Sequence, residues 1–111
     1  MSKKKYYIKV TTFSNTTELG KIIAQQVRAT YDKSVVTSGR EVERIIEYIR
    51  TIQNEALAVN PNMKRMVIQR HTSETYFAIN MVTGNYDNDK MAFYLYGEMI
   101  EHEYCEEGGE Q

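Results

Sequence analysis

The chain has 111 residues, of which 41% are apolar, and its formal net charge is −1. This length predicts a single domain, since domains usually hold about 100 to 200 residues, and the apolar share is sufficient for a core that needs neither disulfides nor a metal. Cys105 is the only cysteine and has no partner for an intramolecular disulfide. No apolar run approaches the roughly 20 residues that span a bilayer, and residues 1–5 do not lead into an apolar signal segment. We therefore expect a cytoplasmic protein without membrane association.

The charge is unevenly distributed along the chain. Residues 1–71 carry thirteen basic and six acidic side chains, a net charge of +7. Residues 72–111 carry one basic and nine acidic side chains, a net charge of −8. Such a division allows separate basic and acidic surfaces on one small domain.

The first third of the chain has the pattern of a strand followed by a helix. Residues 6–13 alternate between the two faces of a strand, with one face apolar. Asn15 is followed three residues later by Glu18, which is the spacing of a capping box. Apolar residues at helical spacing over residues 19–31 predict a helix that ends near Asp32.

A second helix follows a short connector. Residues 35–36 are too few to assign. Ser38 and Glu41 repeat the capping-box spacing, and Pro61 ends the apolar helical pattern, because proline disfavours helical conformation in the residue before it. Two amphipathic helices with a short connector predict a helical hairpin packed on one face of a sheet.

The second half of the chain is rich in β-branched and aromatic residues. Residues 65–70 and 75–82 predict an antiparallel hairpin. Residues 83–89 form the strongest loop signal of the chain, and residues 91–96 predict a further strand because of their aromatic content.

A helix is the alternative for residues 91–104. Asp87 or Asn88 would cap it, and Met91, Leu95 and Met99 have the spacing of one helical face. With the strand assignment, the fold class is α+β in the order β-α-α-β-β-(β), a single domain over residues 1–111 with an antiparallel sheet of three to four strands. We expect disordered ends at about residues 1–4 and 106–111.

Motifs for catalysis and for cofactor binding are weak. Cys105 lies among glutamates, which raise a thiol pKa when activation requires a lower one. Residues 85–89 match the first ligand positions of a calcium loop, but glycine and glutamate are missing from the later ones. No glycine-rich phosphate loop or nucleophile elbow occurs. We expect a protein that is not an enzyme and that holds no cofactor or metal.

One possible metal site stays open as an alternative. Glu98, His102 and Cys105 lie on one face if this segment is helical, with His71 as a further ligand. A charged segment contains such residue types through its composition alone, so we expect these side chains to be solvated and not to bind a metal.

The aromatic content favours a binding surface. The chain has nine tyrosines and no tryptophan, and tyrosine suits interfaces that are partly wet. Two helices on one face of a sheet leave the other face uncovered, and Tyr76 or Phe77 is expected there, depending on the register. The predicted interaction face consists of Tyr7, Tyr76, Tyr94, Tyr96 and Met99. Such a face predicts self-association, as a homodimer or a larger assembly.

Binding of nucleic acid or of a small anionic nucleotide is the alternative, because basic and aromatic side chains together hold phosphates and stack on bases. The residues for this alternative are Lys9, Lys64, Arg65, Arg70, Phe77, Tyr86 and Lys90. No known nucleic-acid-binding motif is present, and the isoelectric point of about 6.1 argues against a polyanion binder.

The preferred functional prediction is a non-enzymatic protein-interaction module. Its binding surfaces would be the aromatic and methionine-containing sheet face and the acidic C-terminal edge, and charge would steer it towards a basic protein partner. Short single-domain chains without catalytic motifs are similar in type to inhibitors and other accessory proteins of phages and mobile elements.

Overall fold

The computed structural model describes the backbone of residues 2–83 and 90–104 and the side chains of residues 5–83 and 90–100. Five strands and two helices lie within these ranges. In chain order they are β1 Ser2–Thr12, α1 Glu18–Tyr31, β2 Val35–Val36, α2 Gly39–Val59, β3 Val67–Thr72, β4 Tyr76–Val82 and β5 Met91–Tyr104.

Both helices begin at capping side chains. Ser38 caps α2 as predicted: its hydroxyl accepts a hydrogen bond from the Glu41 N–H, and the Glu41 carboxylate accepts from the backbone N–H of Thr37. For α1 the predicted cap, Asn15, is wrong. Thr17 caps this helix, and its Oγ1 accepts the N–H of Gly20 at 3.1 Å.

The five strands form one antiparallel sheet in the order β2-β1-β5-β4-β3. The first and last strands of the chain therefore lie side by side within the sheet. Their pairing runs from Ser2 opposite Tyr104 to Thr12 opposite Phe93. The strands β2 and β3 form the two edges.

The core lies between the helices and one face of this sheet. Every second residue of β1 contributes to it (Tyr6, Ile8 and Val10), and so do the buried stripes of α1 and α2. In β5 the alternation is interrupted, because Val82 pairs with Met91 while Met81 pairs with Phe93. Ala92 is the additional residue of this bulge, and it is buried together with Phe93.

The α+β class and the order of the elements are confirmed, and residues 91–104 form a strand, as favoured over the alternative helix. Two features differ from the prediction. The sheet has five strands instead of three to four, because Val35 and Val36 pair with Tyr7 and Tyr6. The backbone is already paired from Ser2, within the expected disordered end at residues 1–4. The expected disordered end at residues 106–111 lies outside the described residues.

The two oppositely charged parts of the chain meet in the sheet. The register of β1 and β5 places Lys3 opposite Glu103 and Lys5 opposite Glu101. At these positions the basic and the acidic part of the sequence are therefore neighbouring strands. In the described part of the chain, neither helix has the length and apolar character needed to cross a membrane.

Candidate interaction site on the open face of the sheet

The face of the sheet that points away from the helices carries a cluster of half-buried tyrosines, which we call the tyrosine face: Tyr7, Tyr76, Tyr94 and Tyr96. The strand register brings them together. Tyr7 and Tyr76 lie on either side of Glu98, whereas Tyr96 lies between Lys9 and Ala78. Since β1 is far from β4 and β5 in the chain, the complete cluster exists only in the folded sheet.

Four rings of this face are in contact one after another. The Tyr94 and Tyr96 rings stack with their centroids 6.2 Å apart and their planes at 15°. The Tyr96 and Tyr76 rings stack at 5.5 Å and 29°, and the His71 ring lies 5.5 Å from Tyr76. Rings held against one another in this way present a continuous, largely preformed surface to a partner.

A shallow depression of about 280 Å³ lies beside the stacked rings, over β3 and β4. Ala78, which is 5% exposed, and Asn80 belong to its lining, together with His71, Tyr76 and Tyr94. The Oδ1 atom of Asn80 is buried without a hydrogen-bond partner.

The tyrosine face carries charges of both signs. Lys9 and Glu98 are exposed on it at diagonal positions of β1 and β5, and neither forms an ion pair with another described residue. Partial burial raises the pKa of the Tyr96 hydroxyl, and the nearby Glu98 carboxylate raises it further. The hydroxyl, which is neutral at ordinary pH as in any tyrosine, therefore keeps its proton to a higher pH than usual.

Two residues predicted for binding lie on the other side of the sheet. Met99 packs against the core on the helix side. Phe77 is 2% exposed and covers Gly97, with its ring in edge-to-face contact with Tyr6 at 5.4 Å. With 2% of its surface exposed, its ring offers little area on which a base could stack.

The other residues of the nucleotide hypothesis are dispersed. Lys9 is on the open face, Arg70 pairs with Glu43 of α2 on the helix side, and Arg65 donates to Asn54 at 3.2 Å. Lys64 lines a different depression from Arg65, beside the start of α1. Lys90 lies at the base of the β4–β5 connection, where its N–H donates to Thr83, and Tyr86 is outside the described residues. Arg70 and Phe77 both line a depression of about 380 Å³ between the start of α2 and the end of β3, but the structure does not bring the other described members of this set to it.

The helical arrangement on which the metal hypothesis depended is not formed, because Glu98 belongs to a strand. The His102 side chain, Cys105 and the calcium-like residues 85–89 lie outside the described part. Within the described part, no three His, Cys, Asp or Glu residues are placed so that they could hold a metal ion.

His71, Ala78 and Asn80 were not predicted for the interaction face. Ala78 and Asn80 follow Tyr76 at intervals of two, so strand alternation could have placed them on its face. His71 depends on the pairing of β3 with β4, which sets it opposite Ala78.

Comparison with protein-family models, curated proteins and solved structures finds no match to this chain.

Proposed function

We propose that this protein is a non-enzymatic protein-interaction module and that the tyrosine face is its binding surface. The observation that carries the proposal is the contact series of Tyr94, Tyr96, Tyr76 and His71 across the uncovered face of the sheet. Aromatic residues are enriched where proteins bind one another, and tyrosine contributes contact area at a low cost in side-chain entropy.

The charges of this face favour a protein partner over a nucleic acid. Lys9 is balanced by Glu98 on the same face. Arg70, which lines the depression, has its guanidinium paired with Glu43. A surface that binds a phosphate backbone needs several cations that are not neutralised.

A second copy of the chain is the occupant that we propose. In this dimer the tyrosine faces of the two copies would pack against each other, related by a two-fold axis that lies between them and passes close to Tyr96. Lys9 of each copy would then lie next to Glu98 of the other, so that this contact occurs twice. Such self-complementarity is what an isologous interface requires. Two sheets packed in this way would cover the aromatic rings of both copies, as in a sandwich of sheets.

Sedimentation of charge variants tests this pairing. We expect the wild-type chain to be a dimer and Lys9→Glu or Glu98→Lys to be monomeric, because each places like charges opposite one another. The double variant Lys9→Glu/Glu98→Lys should restore the dimer. Lys64→Glu makes the same charge change away from this face and should leave the dimer intact.

A wild-type chain that is monomeric at high concentration would overturn self-pairing. Tyr96→Thr keeps a strand-forming residue while removing the ring, so it should weaken dimerisation without unfolding the sheet. Binding of a different protein that Tyr96→Thr abolishes would keep the tyrosine face as the binding surface with another occupant.

A further inference from the structure

A further concavity lies away from the tyrosine face, between α1 and the end of β1. Its volume is about 780 Å³, within the range of roughly 300 to 1,000 Å³ that small-molecule sites occupy. We call it the α1 groove, and it is lined by Thr12, Phe13, Ser14, Lys21, Ala24, Gln25, Arg28, Ala29, Asp32 and Lys33.

Three cations line this groove. Lys21 and Arg28 lie on the exposed face of α1, on the same side of the helix as Gln25, whereas Leu19, Ile23 and Val27 fill the opposite, buried side. Lys33 joins them from the turn after the helix. None of these cations has a carboxylate partner among the described residues.

The one carboxylate of the groove is already engaged. Asp32 Oδ1 accepts the backbone N–H of Val10 at 2.9 Å, in the place that a neighbouring strand would otherwise take. Lys33 and Ser34 complete this pairing through their backbones with Ile8. The hydrogen bond to Val10 therefore explains why Asp32 is present in a groove whose other charged residues are all basic.

The backbone at Lys33 is unusual. Its φ is +68°, in the left-handed region, and it is the only non-glycine residue with positive φ in the described part. Glycine adopts this conformation without steric cost, whereas lysine does not. A residue held in an unfavourable backbone conformation is a reason to examine what its side chain does, and this side chain adds the third cation to the groove.

We propose that the α1 groove binds a ligand that carries two or more phosphate groups. Lys21, Arg28 and Lys33 would supply the cations, and Arg28 can contact two phosphate oxygens at once. The half-buried ring of Phe13 forms an apolar part of the lining, suited to a base or sugar attached to the phosphates. A polyphosphate and the backbone of a single-stranded nucleic acid both present this chemistry.

Titration calorimetry at low salt with inorganic pyrophosphate and with a single-stranded oligonucleotide tests the proposal and separates the two sources. If pyrophosphate has a larger binding free energy per phosphate group than the oligonucleotide, the ligand is a free polyphosphate. Tighter binding of the oligonucleotide, with affinity falling steeply as salt increases, indicates a nucleic acid. Binding of neither probe overturns the proposal.

Variants identify the groove as the binding site. Lys21→Gln and Arg28→Gln should each lower the affinity roughly tenfold, which is the usual effect of losing one charge-assisted hydrogen bond. Arg44→Gln removes an exposed cation from α2 and should leave the affinity unchanged. An equal loss in all three variants would mean attraction by overall charge, and it would overturn the site.

Lys33→Gly separates binding from folding. Because glycine relieves the backbone conformation, the variant should unfold at the same or a higher temperature than the wild type, while its affinity for the better probe falls roughly tenfold. Unchanged affinity would show that Lys33 takes no part in binding.

Discussion

The side-chain amide of Gln53 makes two hydrogen bonds with the backbone of a single residue, Met66. Gln53 Oε1 accepts the Met66 N–H at 2.8 Å, and Nε2 donates to the Met66 carbonyl oxygen at 3.3 Å. Gln53 and Met66 are each 3% exposed, so water does not supply these bonds. The amide thus takes the place of a strand partner just before β3 and fixes α2 to the edge of the sheet.

We therefore predict that Gln53→Leu destabilises the protein by about 2 to 4 kcal/mol, because two buried backbone groups lose their partners. The substitution keeps a helix-forming residue of similar size, so packing changes little. The free energy of unfolding from urea denaturation measures the effect. Asn54→Ala, at the exposed neighbouring position, should cost less than about 0.5 kcal/mol. Equal stability of Gln53→Leu and the wild type would contradict the role of the amide.

The close approach of Phe77 to Gly97 gives a second prediction. A Cβ at position 97 would overlap the Phe77 ring, so Gly97→Ala should reduce the free energy of unfolding by about 1 to 3 kcal/mol. Gly39→Ala is the matched control, since a Cβ there meets no atom within 4 Å; at the start of α2 it should be neutral or slightly stabilising. If the Phe77 ring is the obstacle, Gly97→Ala should lower the free energy of unfolding by less in a Phe77→Leu background than in the wild type.

Tyr96 should lose its proton at higher pH than an ordinary tyrosine. Its pKa is raised by partial burial and then by Glu98, so Glu98→Gln should lower this pKa while burial still keeps it above about 10. The ultraviolet absorbance of tyrosinate follows the titration. The component that disappears in Tyr96→Phe belongs to Tyr96. The pKa of Tyr31, which burial and Tyr48 raise, should not respond to Glu98→Gln.

The same shift predicts how stability depends on pH. A folded-state pKa above the unfolded value contributes stability that is present below about pH 10 and is lost as pH rises through the folded-state pKa, because only the unfolded chain then releases the proton. Tyr96→Phe should therefore lose less stability than the wild type above about pH 10. A steeper loss in this variant would contradict the direction of the shift.

The position of the α1 cap is also testable. Thr17→Ala should cost about 1 kcal/mol, since the Gly20 N–H loses its acceptor. Asn15→Ala should change stability by less than about 0.5 kcal/mol, as expected for an exposed residue outside the helix. The reverse order in thermal or chemical unfolding would place the cap at Asn15.

Both helices were predictable from the sequence because their buried stripes and the Ser38 cap are local patterns. β5 was harder, since its bulge at Ala92 interrupts the alternation that identifies a strand. β2 has two residues and is recognisable only through its pairing with Tyr6 and Tyr7.

Only part of the candidate site was predictable. Aromatic content indicated a binding face, but Tyr76 and Phe77 are adjacent, and the side on which the helices pack decides which ring is uncovered. The α1 groove was not predicted at all. The groove is formed by residues at helical spacing on α1 together with the turn after Asp32. The residues next to Lys33 in the sequence do not indicate that its backbone takes the left-handed conformation.

The pairing of β1 with β5 also has a consequence for how the chain folds. Contacts between residues as distant as Ser2 and Tyr104 give the fold a high contact order, which slows folding. During synthesis α1, α2 and the β3–β4 hairpin can form early from local contacts. The apolar faces of the helices stay incompletely covered until residues 91–104 have left the ribosome and entered the sheet between β1 and β4. A nascent chain arrested before that point would expose these faces, and we expect it to be a substrate for chaperones and proteases.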